Sequence, residues 1–213
     1  MALLISYFES TTFDIKILDM KLVFATHNQN KFEEVKKLLP HFIELESLTT
    51  IGCTEEIAET GMTLEENAKI KADYVTSTYG LSCFSDDTGL LVDALNGAPG
   101  VFSARYAGTE KDANANMEKL LNALEGEKNR VACFETVIAL NLNGKHHVFK
   151  GKVDGRIIHE KKGEKGFGYD PIFRPDGFEK TFAELSMEQK NRISHRARAI
   201  EQLTTFLSSL AAI

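Results

Sequence analysis

The regular pattern of the chain begins with an apolar run followed by an amphipathic helix. Residues 22–25 are all apolar, which is typical of a buried strand, and the polar loop 26–31 follows them. Beyond the loop, apolar side chains recur on one helical face; they are Phe32, Val35, Leu38 and Leu39. Asn28 or Asn30 is the expected N-cap of this helix. The pattern therefore predicts a strand, a loop and a helix, with a second strand at 42–48.

A second helix is predicted after a capping box. Thr63 and Glu66 have the required spacing, and Gly80 is the expected stop. Asn67 and Lys71 are four residues apart, so they share one face of this helix. That face is directed either at a functional site or, as on any ordinary surface helix, at solvent.

Two adjacent carboxylates follow the next apolar run. Residues 81–84 predict a strand, and the polar residues and glycine after it place Asp86 and Asp87 at the end of that strand. Neighbouring side chains in extended backbone point to opposite faces, so one carboxylate is expected to face a cleft while the other braces the turn. Two like charges this close need a cation or donors, and Mg²⁺ suits them. The alternative is a polar turn in which one of the two caps the next segment.

The remaining pattern predicts more strands than helices. A helix is predicted at 109–124, and further strands are predicted at 130–142, 146–153 and 155–159. Asn143 and Gly144 form a strong hairpin signal, and Ser186 and Ser194 are expected to cap the last two helices. These elements predict an α/β fold: a mixed, twisted sheet with flanking helices, a sheet-rich second lobe, and a site in the central cleft between lobes.

Composition narrows the class of protein. The chain has 213 residues, of which 43% are apolar and 26% charged, as in ordinary globular proteins. No apolar run is long enough to span a membrane, and the net charge of −6 argues against binding a nucleic acid polymer. Three cysteines, an odd number without metal-ligand spacing, suit a reducing cytoplasm. We therefore expect a cytoplasmic protein that acts on a small molecule.

The first residues differ from the rest of the chain. A good strand follows directly after Met20, and residues 1–19 lack the features of a signal peptide. We expect residues 1–19 to be an N-terminal extension that is not native and 20–213 to be the functional domain. The alternative is that the extension adds a short strand or helix.

Cations occur at two helix starts, where the helix dipole disfavours them unless an anion is bound. Lys31 lies in the first turn of the first helix, and His195 and Arg196 lie in the first turn of the last. A strand, a polar loop and a helix start with a lysine make a phosphate site in physical terms. A solvated surface position is the alternative for Lys31.

Glycines flank aromatic residues at 166–169. Glycines allow close backbone approach, and flat rings offer a stacking surface for a base, although Phe167 and Tyr169 are equally suited to a core. Together with the carboxylate pair and the cationic helix starts, this segment indicates one site for a phosphorylated aromatic compound and a metal.

Several motifs in order resemble the inosine-triphosphate pyrophosphatase family, also called XTP/dITP diphosphatases. The resemblance covers roughly residues 20–207 and depends on the segments 26–31, 59–61, 65–68 with Lys71, 85–90, 97–100, 103–106, 166–171 and 194–196. It implies an elongated two-lobed α/β fold, a homodimer, and Mg²⁺-dependent hydrolysis of ITP, dITP and XTP to the monophosphate and pyrophosphate.

The resemblance also assigns roles by position. Phosphate binding falls to Thr26, His27, Asn28, Gln29, Asn30 and Lys31. The residues implied to bind the base and sugar are Phe167, Gly168, Tyr169 and Asp170. The residues implied to recognise the purine and close the site are Lys190, His195 and Arg196. Asp87 is the implied proton acceptor and metal ligand, with Thr88 at the substrate. The chemistry is supported by Lys71 and Asp86.

Two positions depart from the family pattern. Family members often have glycine where this chain has His27, and some have an acidic metal ligand where this chain has Ala58. Glu59 is the nearest substitute for that ligand.

Two other functions remain as alternatives at this point. One is a septum-inhibitor-like nucleotide pyrophosphatase of related fold that acts on other modified nucleotides. The other is a non-catalytic nucleotide-binding sensor, although a pure phosphate binder gains nothing from adjacent carboxylates without a metal.

Overall fold

One mixed sheet with helices against it makes up the protein. The computed structural model describes residues 20–211, with side chains to residue 210, so the predicted extension at 1–19 lies outside the described residues. The strands are β1 (Met20–Phe24), β2 (Ile43–Ser47), β3 (Cys83–Val92), β4 (Pro99–Gly100), β5 (Val131–Leu142), β6 (Lys145–Ile157) and β7 (Phe173–Pro175). The helices are α1 (Gln29–Leu38), α2 (Leu64–Tyr79), α3 (Ala113–Ala123), α4 (Met187–Ile193) and α5 (His195–Ala211).

The sheet order is β2-β1-β3-β5-β6-β7, with β4 paired to β3. Strand β1 runs parallel to both β2 and β3, whereas all later pairs are antiparallel. The mixed sheet predicted from the pattern is therefore confirmed. It passes without a break through both lobes, because β3, β5 and β6 are long and pair along most of their length.

Local capping signals predicted the helix ends well. The side chain of Asn28 accepts from the Lys31 amide at the start of α1. Thr63 and Glu66 form the expected capping box of α2, and Gly80 ends that helix in the left-handed conformation. These contacts satisfy amide groups that have no partner within the helix, which is why the signals are local and legible in sequence.

Two strand predictions were wrong. Residues 145–157 form one strand instead of two, because the alternation of buried and exposed side chains continues unbroken through 151–157. Asp86 and Asp87 lie in the middle of β3, not at its end. The ladder continues through them, with Asp86 opposite Ile138 and Asp87 opposite Val137 on β5. Polar residues can continue a strand when other elements supply partners for their side chains.

The apolar core has two large parts. One joins β1, the first part of β3 and the second half of β5 to α1 and α5. The other joins the opposite ends of β3, β5 and β6 to α3 and β7. This division gives the two lobes of the fold.

A close approach of α5 to β6 sets where the last helix begins. A Cβ atom on Gly151 of β6 would lie 2.0 Å from the His195 carbonyl oxygen and 2.5 Å from the Ala199 amide nitrogen. Only glycine allows this contact, and it places the first turn of α5 directly on the sheet. Within residues 20–211, the helices are too short or too polar for any of them to cross a bilayer.

Candidate active site

A cavity of about 800 Å³ lies where the two lobes meet, within the usual range for ligand sites. Most residues predicted from the sequence line it: Thr26, His27, Asn28, Asn30, Lys31, Glu59, Lys71, Asp87, Thr88, Phe167, Gly168, Tyr169, Asp170, Lys190, His195 and Arg196. Two predicted site residues do not. Asp86 is buried beneath the cavity wall, and Gln29 donates to Glu33 on the exposed side of α1.

The loop between β1 and α1 is ordered by its own polar groups. The Thr26 hydroxyl accepts from the Asn28 amide at 3.1 Å. The Asn28 side chain in turn caps α1 by accepting from the Lys31 amide. His27, the departure from the family pattern, has its Nε2 atom 2.9 Å from the Glu55 carbonyl oxygen. The loop therefore holds its shape with histidine at that position, and Asn30 and Lys31 line the cavity.

Asp86 is an internal partner for two cations. One oxygen accepts from Lys31 Nζ at 2.9 Å, and the other accepts from Arg196 Nε at 3.1 Å. Burial alone would raise the pKa of Asp86, but the charges of Lys31 and Arg196 outweigh it and hold the pKa well below its usual range. Asp86 is therefore the carboxylate that braces the site.

Asp87 points to the other face of the sheet and has few partners. Its Oδ1 atom accepts from the Thr88 amide at 3.0 Å and lies 3.7 Å from Lys71 Nζ. Its buried Oδ2 atom has no hydrogen-bond partner among the described residues. Burial raises the pKa of Asp87 because it outweighs the opposing charges of Lys71 and Lys31. A carboxylate oxygen without a partner in a cavity wall is free to bind a metal or to accept a proton.

Glu59 lies beside Asp87 across the ammonium of Lys71. Lys71 Nζ donates to Glu59 at 2.5 Å, and Arg105 donates to the second Glu59 oxygen at 3.3 Å. Burial opposes ionisation of Glu59, but Lys71 dominates and lowers its pKa. The pKa of Lys71 is raised because Asp87 and Glu59 outweigh its own burial.

Two carboxylates of the cavity fit the ligand requirements of Mg²⁺. Residues 20–211 contain no group of three or more His, Cys, Asp or Glu side chains that would hold a metal ion. Mg²⁺ commonly uses only one or two carboxylates and completes its octahedron with water and phosphate oxygens. Asp87, with its unpartnered oxygen, and Glu59 are carboxylates of that kind.

The other end of the cavity is a buried ionic cluster under an aromatic ring. Lys190 Nζ donates to Glu34 at 2.8 Å and to Asp170 at 2.6 Å. The ring of Phe167 lies over this ammonium, 4.8 Å from Nζ to the ring centroid, and is only partly buried. Arg196 lies 5.6 Å from the same centroid. Phe167 therefore offers the aromatic surface expected from the Gly-aromatic segment.

Tyr169 and His195 are both buried, and for Tyr169 the core position is one of the two alternatives that the sequence left open. Tyr169 belongs to the core, and its hydroxyl donates to the Ser103 carbonyl oxygen at 2.9 Å. The His195 ring stacks on Phe134 with centroids 4.7 Å apart. Burial, with Arg196 and Lys190 nearby, lowers the pKa of His195 well below its usual value, so the ring is neutral at pH 7. Its buried Nδ1 atom has no partner among the described residues. The predicted base contacts of both residues stay predictions.

The sequence analysis missed two charged residues of the site. Glu34, buried in α1, accepts from both Lys190 and Arg196. Its signal was weak, since a glutamate in a helix rich in charged residues is expected to face solvent. Arg105 was part of a recognised motif but received no role. It lines the cavity and pairs with Glu59.

Comparisons with known proteins agree with this geometry. The model of the Ham1 family matches residues 22–206, and the chain belongs to that family. A dITP/XTP pyrophosphatase of Christiangramia forsetii is 59% identical over 189 residues, covering 89% of this chain and all of the relative. The dITP/XTP pyrophosphatase of Bacillus subtilis is 45% identical over 197 residues, covering 91% of this chain and all of the relative.

Solved structures support the same family. The Ham1 protein of Staphylococcus aureus aligns with a TM-score of 0.81 at 43% identity, covering 89% of this chain and 98% of that one. A HAM1 protein of Coxiella burnetii aligns with a TM-score of 0.82 at 41% identity, covering 89% and 99%. The family resemblance read from the motifs is thus confirmed.

The lowered pKa values of Asp86 and Glu34 predict acid sensitivity. A group whose pKa is lower in the folded state stabilises the protein above its unfolded pKa, about 3.9 for Asp and about 4.3 for Glu. That stability is lost as the pH falls through the folded value. We expect the free energy of unfolding, measured by urea denaturation, to fall steeply below about pH 4.

The matched variants are Asp86→Asn and Glu188→Gln, the second at an exposed carboxylate that is part of a surface pair. Asp86→Asn is expected to destabilise the protein at pH 7 by about 3–5 kcal/mol, because it removes the carboxylate partner of Lys31 and one of the two carboxylates that pair with Arg196. It is also expected to flatten the acid slope, whereas Glu188→Gln leaves the slope as it is. An unchanged slope in the Asp86→Asn variant would contradict the assignment of the acid sensitivity to this carboxylate.

Proposed function

We propose that this protein hydrolyses ITP, dITP and XTP to the monophosphate and pyrophosphate, and so removes non-standard purine nucleotides. The observation that carries the proposal is the unpartnered Asp87 oxygen beside Glu59 and Lys71, in a cavity that also holds an aromatic base surface. The names of the relatives, dITP/XTP pyrophosphatases matched over almost their full length, support the same substrates. Neither a different modified nucleotide nor a non-catalytic sensor has comparable support.

Asp87 and Glu59 are the residues that would hold Mg²⁺. The bound ion would supply charge neutralisation at the phosphates and lower the pKa of water. The chain contributes the rest. Lys31 contacts Asp86 and Lys71 contacts Asp87, so the two ammonium groups flank these adjacent carboxylates and neutralise phosphate charge. Asp87, whose Oδ2 atom has no partner among the described residues, is suited to accept the proton of the attacking water.

The base end of the cavity supports discrimination between purines. Phe167 lies next to Lys190 and Arg196, is only partly buried and lines the cavity, which suits its ring as a platform for a purine. Three N–H groups of Arg196 already donate to Asp86, Glu34 and Thr88. A guanidinium has five such groups, so two remain for a 6-keto oxygen. An amino group at the same position of adenine would leave buried donors unpaired, which is a strong source of rejection.

The chain is also proposed to act as a homodimer in the cytoplasm. Buried Cys53 and Cys83 are free thiols, which suits a reducing compartment. Exposed apolar side chains, among them Met62 and Phe102, lie around a second surface cavity and offer area for self-association. Sedimentation velocity of the purified chain measures the mass, and a monomer at micromolar concentration would contradict the proposed dimer.

Water is expected to attack the α-phosphorus, releasing pyrophosphate in one step. The Gly-aromatic segment holds the base, and Lys31 at the start of α1 suits the polyphosphate as leaving group. In ¹⁸O-labelled water with Mg²⁺, we expect hydrolysis of ITP, dITP and XTP but little of ATP, with the label in the monophosphate. Label in pyrophosphate, or orthophosphate as first product, would place the attack at the β- or γ-phosphorus.

Asp87→Asn is expected to leave the fold intact and to lower turnover by at least about 10²-fold, the low end for losing a general base. The amide keeps the size of the side chain but can neither accept the proton nor bind the metal as a charged ligand. Steady-state kinetics with ITP measures the loss, and a thermal melt checks the fold. The control is Asp93→Asn, an exposed aspartate in the turn directly after the same strand, with expected wild-type turnover. Near-normal turnover of folded Asp87→Asn protein would refute the role.

A further inference from the structure

Arg105 is placed at the cavity by a short turn that is itself fixed. Residues Ser103–Arg105 form a single 3-10 turn. The buried Ser103 hydroxyl donates to the Gly100 carbonyl oxygen at 2.6 Å and accepts from the Leu90 amide at 2.9 Å, which ties the turn to β3 and β4. The turn is therefore fixed to β3 at Leu90, two residues beyond Thr88.

Two further buried side chains form hydrogen bonds with the backbone at the same turn. Asn116 of α3 donates to the Ala104 carbonyl oxygen at 3.0 Å and accepts from the Ala107 amide at 2.6 Å. The Tyr169 hydroxyl donates to the Ser103 carbonyl oxygen. Three side chains, those of Ser103, Asn116 and Tyr169, thus hold one short turn of backbone. Such support is typical of a group that must be held at a defined place in a site.

Among residues 20–211, the guanidinium of Arg105 has one carboxylate partner. It pairs with Glu59 at 3.3 Å, lies 5.3 Å from the centroid of the exposed Phe102 ring, and its side chain is 26% exposed. Lys71 also pairs with Glu59 but is buried and lies next to Asp87 as well. Of the two cations on Glu59, Arg105 is therefore the one that can leave at low cost.

We propose that Arg105 binds the phosphate tail of the substrate and the pyrophosphate that leaves, after exchanging its contact with Glu59 for phosphate oxygens. Glu59, if it held a divalent ion, would no longer be available to the Arg105 guanidinium, which would then need another anion. The planar fork of arginine matches phosphate oxygens in pairs. This inference rests on the proposed function, because it takes the nucleoside triphosphate as the ligand.

The test compares pyrophosphate with the monophosphate product. Isothermal titration calorimetry with Mg²⁺ measures the binding of pyrophosphate and of inosine monophosphate to the wild type, Arg105→Gln, Arg105→Lys and the control Arg174→Gln. Arg174 lies on β7, outside the cavity, with a carboxylate at 4.0 Å. A thermal melt of each variant checks the fold.

Arg105→Gln is expected to weaken pyrophosphate binding about tenfold, the order of one hydrogen bond to a charged group, and to change monophosphate binding by less than about twofold. Arg105→Lys should fall between, since lysine keeps the charge but not the fork. Arg174→Gln should match the wild type. In ITP hydrolysis, KM is expected to rise with Arg105→Gln.

Two results would overturn the inference. In the first, pyrophosphate affinity is unchanged while the Mg²⁺ concentration for half-maximal activity shifts, which would limit Arg105 to positioning Glu59. In the second, pyrophosphate and monophosphate weaken equally, which would indicate a general structural loss. A wild type that hydrolyses none of the three triphosphates would refute the proposed function instead, and the difference in pyrophosphate binding between wild type and Arg105→Gln would still decide on Arg105.

Discussion

The buried guanidinium of Arg196 is the interaction on which the arrangement of the cavity depends. Its side chain is 1% exposed, and it donates to Asp86 on β3 and to Glu34 on α1 from the first turn of α5. Its burial opposes the charge, but the two carboxylates outweigh that and raise its pKa. A buried charge without partners is strongly destabilising, so these three elements adopt one relative position or the fold loses several kcal/mol.

The same constraint extends across the base end of the site. Glu34 also forms an ion pair with Lys190 on α4, and Lys190 forms a second ion pair with Asp170 in the segment before β7. Removing one member leaves its neighbours charged and unpaired, whereas the complete set adds little stability over an apolar core. The cluster is therefore better understood as a way of holding cations beneath Phe167 than as a source of stability.

Elements governed by local rules could be predicted from the sequence, and those governed by distant partners could not. The capping residues Asn28 and Thr63 act within one turn, so they fixed the helix starts correctly. Strand β3 was predicted to end at Asp86 and Asp87, because nothing nearby in sequence shows that Lys31 and Arg196, 55 and 110 positions away, neutralise the charge of Asp86. Glu34 was missed for the same reason. Burial is predicted from apolar residues in a sequence pattern, so a buried carboxylate cannot be told from an exposed one.

The two adjacent carboxylates of β3 differ in role: one braces the site, and the other is suited to the chemistry. Asp86 and Asp87 differ by one residue, so the pleat directs them to opposite faces of the sheet. On one face α1 and α5 supply two cations, and the pKa of Asp86 falls; on the other, burial dominates over Lys71 and the pKa of Asp87 rises. Loss of activity on replacing Asp86 would therefore not identify it as a catalytic group. Its replacement removes the ion pair of Lys31 and one of the two carboxylates that hold Arg196, and both cations shape the cavity. Replacement of Asp87 instead removes an oxygen that has no partner among the described residues.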